Sequence, residues 1–294
     1  MAKVSVNNKA YSIIEKIAKG GSSFVFKVLS HRDHKNYALK AVPLEGIDQN
    51  TTRMYTNEIK LLISLRANPR IVQIFDYEIS ERHNALFVIM ELGEIDMAHL
   101  LSRQKYEPLD LNFVRYYWRQ MLKAVEAVHK EKIVHSDLKP ANFVLVSGML
   151  KIIDFGIAKR IANNTTNIHR DKQVGTINYM APEALTDVGH GQNELMKMGR
   201  PSDVWSLGCI LYQMVYGRPP FSDMKLFHKL RFIPDPTHVI PFPSQAPVYS
   251  PGDFTHDPVT LPAEIIDVMQ SCLQRDPSKR KKIPQLLDHP FLKV

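Results

Sequence analysis

The sequence predicts an α+β protein of two lobes, a small antiparallel β-lobe carrying one main helix and a larger, mainly helical lobe. Three observations predict it. Short β-rich runs separated by polar turns fill the first ninety residues, broken once by a helical period. Around Glu91-Leu92-Gly93 the character shifts, and the long periodic segments that follow are helical. The length, 294 residues against roughly 150 for a typical domain, fits lobes of 1–92 and 93–294.

The elements follow in order. Residues 11–17 and 24–29 are β-rich and joined by the small-residue stretch Ala18-Lys19-Gly20-Gly21-Ser22-Ser23. A third strand spans 37–42, after the polar turn 31–36. In 52–65 the period changes, with Ile59, Leu62, Ile63 and Leu65 on one apolar helical stripe. Runs at 71–77 and 86–90 complete five strands. The second lobe has helical patterns at 113–129, 202–216 and 263–273. The segment 231–262 carries eight prolines (Pro234 to Pro262), which excludes an ordinary helix and predicts an extended surface loop.

Composition excludes several classes. Hydrophobic residues make up 44% and charged residues 23%, ordinary for a globular chain and unlike collagen or a disordered polyelectrolyte. No apolar run reaches the roughly 18 residues of a spanning helix, and 1–10 lacks a signal-peptide core, so an intracellular location is expected. Cys209 and Cys272 sit in apolar helical stretches and read as buried thiols. The net charge of +8 fits an anionic partner without choosing one. The basic run 275–282 reads as a solvated turn, so neither nucleic acid nor membrane is an expected partner. The twelve histidines include no zinc-spaced pair with supporting ligands.

The chemistry concentrates in Val134-His135-Ser136-Asp137-Leu138-Lys139-Pro140-Ala141-Asn142 and Ile153-Asp154-Phe155-Gly156. Asp137, Lys139 and Asn142 precede, and Asp154 follows, the two short apolar runs 143–146 and 150–153, whose strand ends hold polar groups rigidly. Two carboxylates and an amide oxygen are hard ligands suited to Mg²⁺. Asp137 is placed to orient a hydroxyl nucleophile, and Lys139 to offset charge on a transferring phosphoryl group. Upstream, Lys40 is a lone cation in an apolar run and needs an anionic partner; Glu58 on the following helix is the natural candidate. Backbone N–H groups of 18–23 suit phosphate binding. His135 reads as a packed scaffold residue.

These motifs, in this order, resemble the eukaryotic protein kinases over about 11–293. The resemblance implies a bilobal protein-kinase-like fold with ATP in the cleft between the lobes, and an activation segment at 154–183 closed by Ala181-Pro182-Glu183. It implies that Lys40 contacts the α/β-phosphates and pairs with Glu58, that Asp137 and Lys139 serve the chemical step, and that Asn142 and Asp154 hold Mg²⁺. Ala18, Gly20, Gly21, Ser22, Ser23, Val25, Ala38, Met90, Glu91, Gly93 and Val144 would surround the nucleotide. Arg280 sits where the family pairs an Arg with Glu183, and Asp203-Val204-Trp205-Ser206-Leu207-Gly208 matches the helix that anchors the catalytic loop.

A closer similarity is to the monopolar spindle kinases. It is carried by Gly20-Gly21-Ser22-Ser23, His135-Ser136-Asp137, Lys139-Pro140-Ala141-Asn142-Phe143, Gly148-Met149-Leu150-Lys151, Thr165-Thr166 and Gln173-Val174-Gly175-Thr176-Ile177-Asn178-Tyr179-Met180. That family is described as dual-specificity, and Lys139 of the loop argues by analogy for Ser/Thr over strict Tyr specificity, with Tyr left open. The family also implies autophosphorylation, transient self-association for it in trans, protein substrates, and a spindle-checkpoint role at the nucleus, kinetochore and cytoplasm. Two departures stand out. Of the three glycine positions of the nucleotide loop only Gly20 is glycine, with Ala18 and Ser23 at the others, which narrows the backbone without removing its donors. Ser136 replaces the Arg that grips an activation-loop phosphate in many kinases, so a phosphate on the candidate regulatory residues Thr165 or Thr166 would be read by Lys159, Arg160, Lys172 or, first, Arg170. The third candidate, Thr176, lies by resemblance near the substrate groove, where its hydroxyl would bond Asp137 or Lys139. The rival reading is an ATP-binding pseudokinase scaffold.

Overall fold

The computed structural model describes residues 2–19, 23–46, 49–65, 68–153, 176–186, 199–247 and 258–293. They divide into two compact units, drawn from Met1–Glu94 with Val144–Ile168 and from Ile95–Phe143 with His169–Val294.

The first unit is built on an antiparallel sheet of six strands: β1 (Lys3–Val6), β2 (Lys9–Lys19), β3 (Phe24–Ser30), β4 (Asn36–Pro43), β5 (Ile74–Ser80) and β6 (Ala85–Met90), in the order β1-β2-β3-β4-β6-β5. Strand β1 adds to the five expected from sequence. Its signal is small but physical: Val4 and Val6 alternate inward, and Asn7-Asn8 turns the chain with φ of 47° and 61°. Asn tolerates that left-handed pair, which matches the twist of a tight hairpin. Asn7 also donates from its side chain to Asp76 (2.6 Å) and to the Tyr77 carbonyl (2.9 Å), while Lys9 pairs with Asp76 at 2.6 Å, tying the hairpin turn to β5.

One sheet face packs Val4, Val6, Tyr11, Val28, Leu39, Phe87 and Ile89 into a core. Helix α1 (Gln49–Ser64) buries Ile59 and Leu62, with Leu65 just beyond, as its stripe predicts. The run expected as a strand over 71–77 is displaced: the strand begins at Ile74, while Ile71 bridges Ile152. Hydrogen bonds Val72 N–Ile152 O (3.0 Å) and Ile152 N–Arg70 O (2.9 Å) satisfy that backbone instead. Residue Ile152 ends β9 (Met149–Ile152), which neighbours β8 (Phe143–Val146) across Ser147-Gly148, at φ of 50° and 76°.

The second unit is mainly helical. After the two-residue strand β7 (Ile95–Asp96) come α2 (Met97–Gln104) and α3 (Leu111–Lys130), each started by an Asp side chain that accepts from a first-turn N–H: Asp96 from His99, Asp110 from Asn112. Then follow α4 (Pro182–Thr186), α5 (Arg200–Tyr216), α6 (Leu226–Phe232), α7 (Ala263–Cys272) and α8 (Ile283–Leu287). Helix α5 is buried almost all round and lies at the centre, with Trp118 of α3 donating its indole N–H to Leu207 O at 3.2 Å. Gly208 lets α5 approach α7 closely.

The proline-rich segment is not simply a surface loop. Arg231 and Phe232 still belong to α6, Ile240 and Ala246 are buried, and the hydroxyls of Tyr212 and Tyr216 donate to Pro241 O (3.0 Å) and Pro243 O (2.8 Å). Proline lacks an N–H but keeps its carbonyl, and the tyrosines use those acceptors. Cys209 and Cys272 are fully buried, as expected; burial pushes both thiols up, Cys272 to about 12. Among the described residues no helix is long and apolar enough to cross a membrane.

Candidate active site

Strand register gathers five of the expected nucleotide residues. Across the antiparallel pairs Ala18 faces Val25, Val25 faces Lys40, and Ala38 faces Met90. Directly opposed residues share a face, and so do residues two apart. Ala18, Val25, Ala38, Lys40 and Met90 therefore share one sheet face, opposite the face that holds Leu39 and Ile89. Ala38 and Lys40 are buried, Lys40 at 7% exposure, so its stem is enclosed by the sheet. Ser23, at the start of β3, is also buried. Gly20, Gly21 and Ser22, and the side chain of Glu58, lie outside the described residues.

The segment 91–94 continues from β6. Glu91 N donates to Gln73 O at 3.0 Å, and its carboxylate accepts from Gln73 N (2.9 Å) and from Lys151 Nζ (2.7 and 2.8 Å). A Cβ on Gly93 would fall inside the Cγ1 methyl of Val144, so only glycine fits against β8 there. Lys151, buried in an apolar strand, is a charged partner of this segment that the sequence reading did not single out. The signal that singles out Lys40, a lone cation in an apolar run, is equally present in Met149-Leu150-Lys151-Ile152.

In the second unit the loop that carries Asp137 hangs from Asp203. This carboxylate is fully buried and accepts from His135 N (2.9 Å), Ser136 N (2.9 Å) and the His129 imidazole (2.8 Å). Three donors compensate for its lost hydration. They also hold Ser136 in a left-handed conformation, φ 66°, that costs a non-glycine residue about 1 kcal/mol. The kink delivers Asp137 just beyond it. Asp137 N donates to His135 Nδ1 at 3.3 Å, so His135 is a scaffold residue as expected. Lys139 Nζ stands 3.7 Å from Asp137 Oδ2. A single 3₁₀ turn, Pro140–Asn142, starts after Lys139, and Asn142 N donates to Lys139 O at 2.9 Å.

Asn142 is 4% exposed, and its buried Oδ1 has no hydrogen-bond partner among the described residues. Such an orphan costs about 1–3 kcal/mol unless something else accepts the lone pairs. A hard cation does so, and the chemistry of this oxygen fits Mg²⁺. Asp154, the second expected ligand, lies outside the described residues, as do Thr165, Thr166, Lys159, Arg160, Arg170 and Lys172. Among the described residues no group of three or more His, Cys, Asp or Glu could hold a metal. Thr176 is described: it is half-buried, and its carbonyl accepts from Tyr179 N at 3.1 Å. Burial pushes the Tyr179 phenol up, and its hydroxyl bonds Gln213 at 2.5 Å.

Glu183 and Arg280 form the expected pair, joined through two parallel 2.7 Å bonds, and Ser202 Oγ adds a third donor to Glu183 at 2.8 Å. Two further cations of the basic run have partners. Arg275 donates to Ile233 O, and Lys281 pairs with Asp267 at 3.3 Å.

Residues 11–292 match the protein kinase domain family. Among curated relatives, the chain is 50% identical to serine/threonine-protein kinase mph1 of Schizosaccharomyces pombe over 98% of its own length and 44% of the relative's. It is 43% identical to serine/threonine-protein kinase MPS1 of Saccharomyces cerevisiae, covering 98% and 37%, and 43% identical to dual specificity protein kinase TTK of Mus musculus, covering 99% and 32%. The chain thus spans less than half the length of these relatives. The similarity seen in the loop motifs extends across the whole sequence. With a six-stranded antiparallel sheet, a helical second unit and the Asp203-anchored loop all in place, the chain belongs to the protein kinase domain family.

Proposed function

We propose that this chain is a protein kinase catalytic domain of the monopolar spindle type, with lobes of 1–92 and 93–294, transferring the γ-phosphoryl group of ATP to Ser/Thr hydroxyls of proteins. The observation that carries the proposal is the loop geometry: Asp137 and Lys139 are 3.7 Å apart on a turn locked by Asp203, beside the orphaned oxygen of Asn142. A pseudokinase gains nothing from burying that oxygen without a partner among the described residues.

In this reading Asp137 orients the substrate hydroxyl and accepts its proton as the oxygen attacks, while Lys139 offsets charge on the phosphoryl oxygens. Lys40 meets the α/β-phosphates and Glu58 fixes its ammonium. Asn142 and Asp154 would hold Mg²⁺, which when bound neutralises phosphate charge. The face carrying Ala18, Val25, Ala38 and Met90 gives the adenine an apolar surface, and the backbone of Glu91 and Gly93 offers its hydrogen-bonding edge partners. No covalent enzyme intermediate is required, because positioning and electrostatics carry the step.

By resemblance to the monopolar spindle family, the fuller proposal is an intracellular kinase of the mitotic spindle checkpoint, acting at the nucleus, kinetochore and cytoplasm. It would self-associate transiently and autophosphorylate at Thr165, Thr166 and Thr176. Transfer of labelled γ-phosphate from MgATP to a generic basic protein, and to the chain itself, tests the reading, with Asp137→Asn and Asp154→Asn alongside. Label present in the parent, absent from both variants and mapping to those threonines is the expected result. ATP binding without transfer in the parent would move the scaffold reading ahead.

A further inference from the structure

The segment 91–94 is laced to the β8–β9 hairpin by side chains that no adenine contact requires. Glu91 receives Lys151 Nζ on both carboxylate oxygens, at 2.7 and 2.8 Å, and the Gln73 N–H at 2.9 Å. Three residues on, Glu94 N donates to Leu145 O at 2.8 Å, and the Glu94 carboxylate accepts from Ser147 N at 2.8 Å. Between these two anchors Gly93 lies directly on Val144. All of these residues belong to one compact unit.

We propose that Lys151 and Glu94 are positioning residues that set the register of the Leu92–Gly93 backbone against Val144, and so govern affinity for the adenine ring. The inference rests on the nucleotide reading above. Its physical basis is that backbone donors and acceptors recognise a planar heterocycle only within a few tenths of an ångström, whereas an irregular segment held by backbone bonds alone drifts. Lys151 is 8% exposed and takes a bidentate, charge-assisted contact, a rigid strut. Glu94 is exposed, so its bond to Ser147 N adds little to folding and fixes only the far end of the segment. The Ser147-Gly148 turn, with both residues in the left-handed region, is what aims the Ser147 N–H at Glu94.

The test uses adenosine, which lacks phosphates and so reports the adenine contacts without Lys40 or the metal ligands. Adenosine affinity by calorimetry, the ATP KM and kcat, and the melting temperature are measured for the parent, Lys151→Met, Lys151→Arg and Glu94→Ala. The expected result for Lys151→Met is adenosine affinity and KM each weakened about tenfold, with kcat within about twofold. Lys151→Arg, which can still bridge Glu91, should restore most of the affinity. A lowered melting temperature with unchanged adenosine affinity in Lys151→Met would overturn the proposal and leave the bridge a purely structural one. Should Lys151→Met fail to fold, Glu94→Ala decides: a loss of about threefold or more in adenosine affinity supports the proposal, and no change overturns it. A folded parent that binds neither adenosine nor ATP would instead reject the nucleotide reading itself.

Discussion

Arg280 and Glu183, 97 residues apart in sequence, meet fork to fork: Nη1 to Oε1 and Nη2 to Oε2, each at 2.7 Å. The guanidinium also donates to the carbonyls of Gln274, Pro201 and Arg275, and sits 5.2 Å from the Trp205 ring centre. Arg280 thus joins the turn after α7 to α4 and to the start of α5. Removing Glu183 leaves the cation buried without its counter-ion. Glu183→Gln should cost roughly 3–5 kcal/mol at neutral pH, read as a fall in melting temperature of about 10 °C.

The same pair predicts a pH dependence. Burial alone would raise the Glu183 carboxyl, but the Arg280 hydrogen bonds, backbone and Ser202 donors and the Arg280 charge together hold it below its ordinary 4.5. A depressed folded value means the stabilisation is complete above about pH 4.5 and is lost as pH falls through the lower folded value. Melting curves from pH 7 to 3 should show the parent converging on Glu183→Gln only below about 4.5. Parallel curves across the whole range would contradict the assignment.

Asn142 predicts a separation of stability from activity. Its Oδ1 is buried without a partner among the described residues, a feature that folding alone does not reward. Asn142→Leu is therefore expected to melt within about 3 °C of the parent without metal or nucleotide. Phosphoryl transfer should fall by at least about a hundredfold, and the stabilisation by MgATP should shrink.

Gly208 predicts a specific rescue pattern. A Cβ there would stand 2.6 Å from the Cys272 Cβ and 3.1 Å from Leu273 side-chain atoms. Gly208→Ala should destabilise by roughly 1–3 kcal/mol in chemical denaturation. Because the clash is with a Cβ, adding Cys272→Ala should not recover the loss, whereas Cys272→Gly should recover part of it. Recovery by Cys272→Ala would place the conflict at the sulfur instead.

Gly93 predicts a local steric effect. Gly93→Ala puts a methyl into the space of Val144 Cγ1, and a β-branched side chain cannot swing aside freely. The ATP KM should rise about tenfold or more. Val144→Ala, by removing that methyl, should bring the Gly93→Ala enzyme back toward the parent.

Much of this protein was legible in the sequence because the relevant signals are local. The apolar stripe at Ile59 and Leu62 specifies its helix without help from distant residues. The order of motifs carries the resemblance from which the roles proposed for Asp137, Lys139 and Asn142 are drawn. Even Lys40 announces itself, because a cation in an apolar strand must be neutralised somewhere.

Tertiary structure decided what depends on register and distant pairing. Side-chain period in a strand fixes alternation but not the facing neighbour, so only pairing could put Ala18, Val25, Ala38, Lys40 and Met90 on one face. Strand β1 needed the Asn7 bonds to β5 to hold four residues in a sheet. The strand expected to begin at Ile71 began at Ile74, because Arg70 and Val72 found backbone partners at Ile152, eighty residues on, that no local pattern reveals. The partners of Lys151 and Asp203 were hidden for the same reason. Sequence shows that a buried charge needs compensation, and only the folded chain brings the compensating group within hydrogen-bond reach.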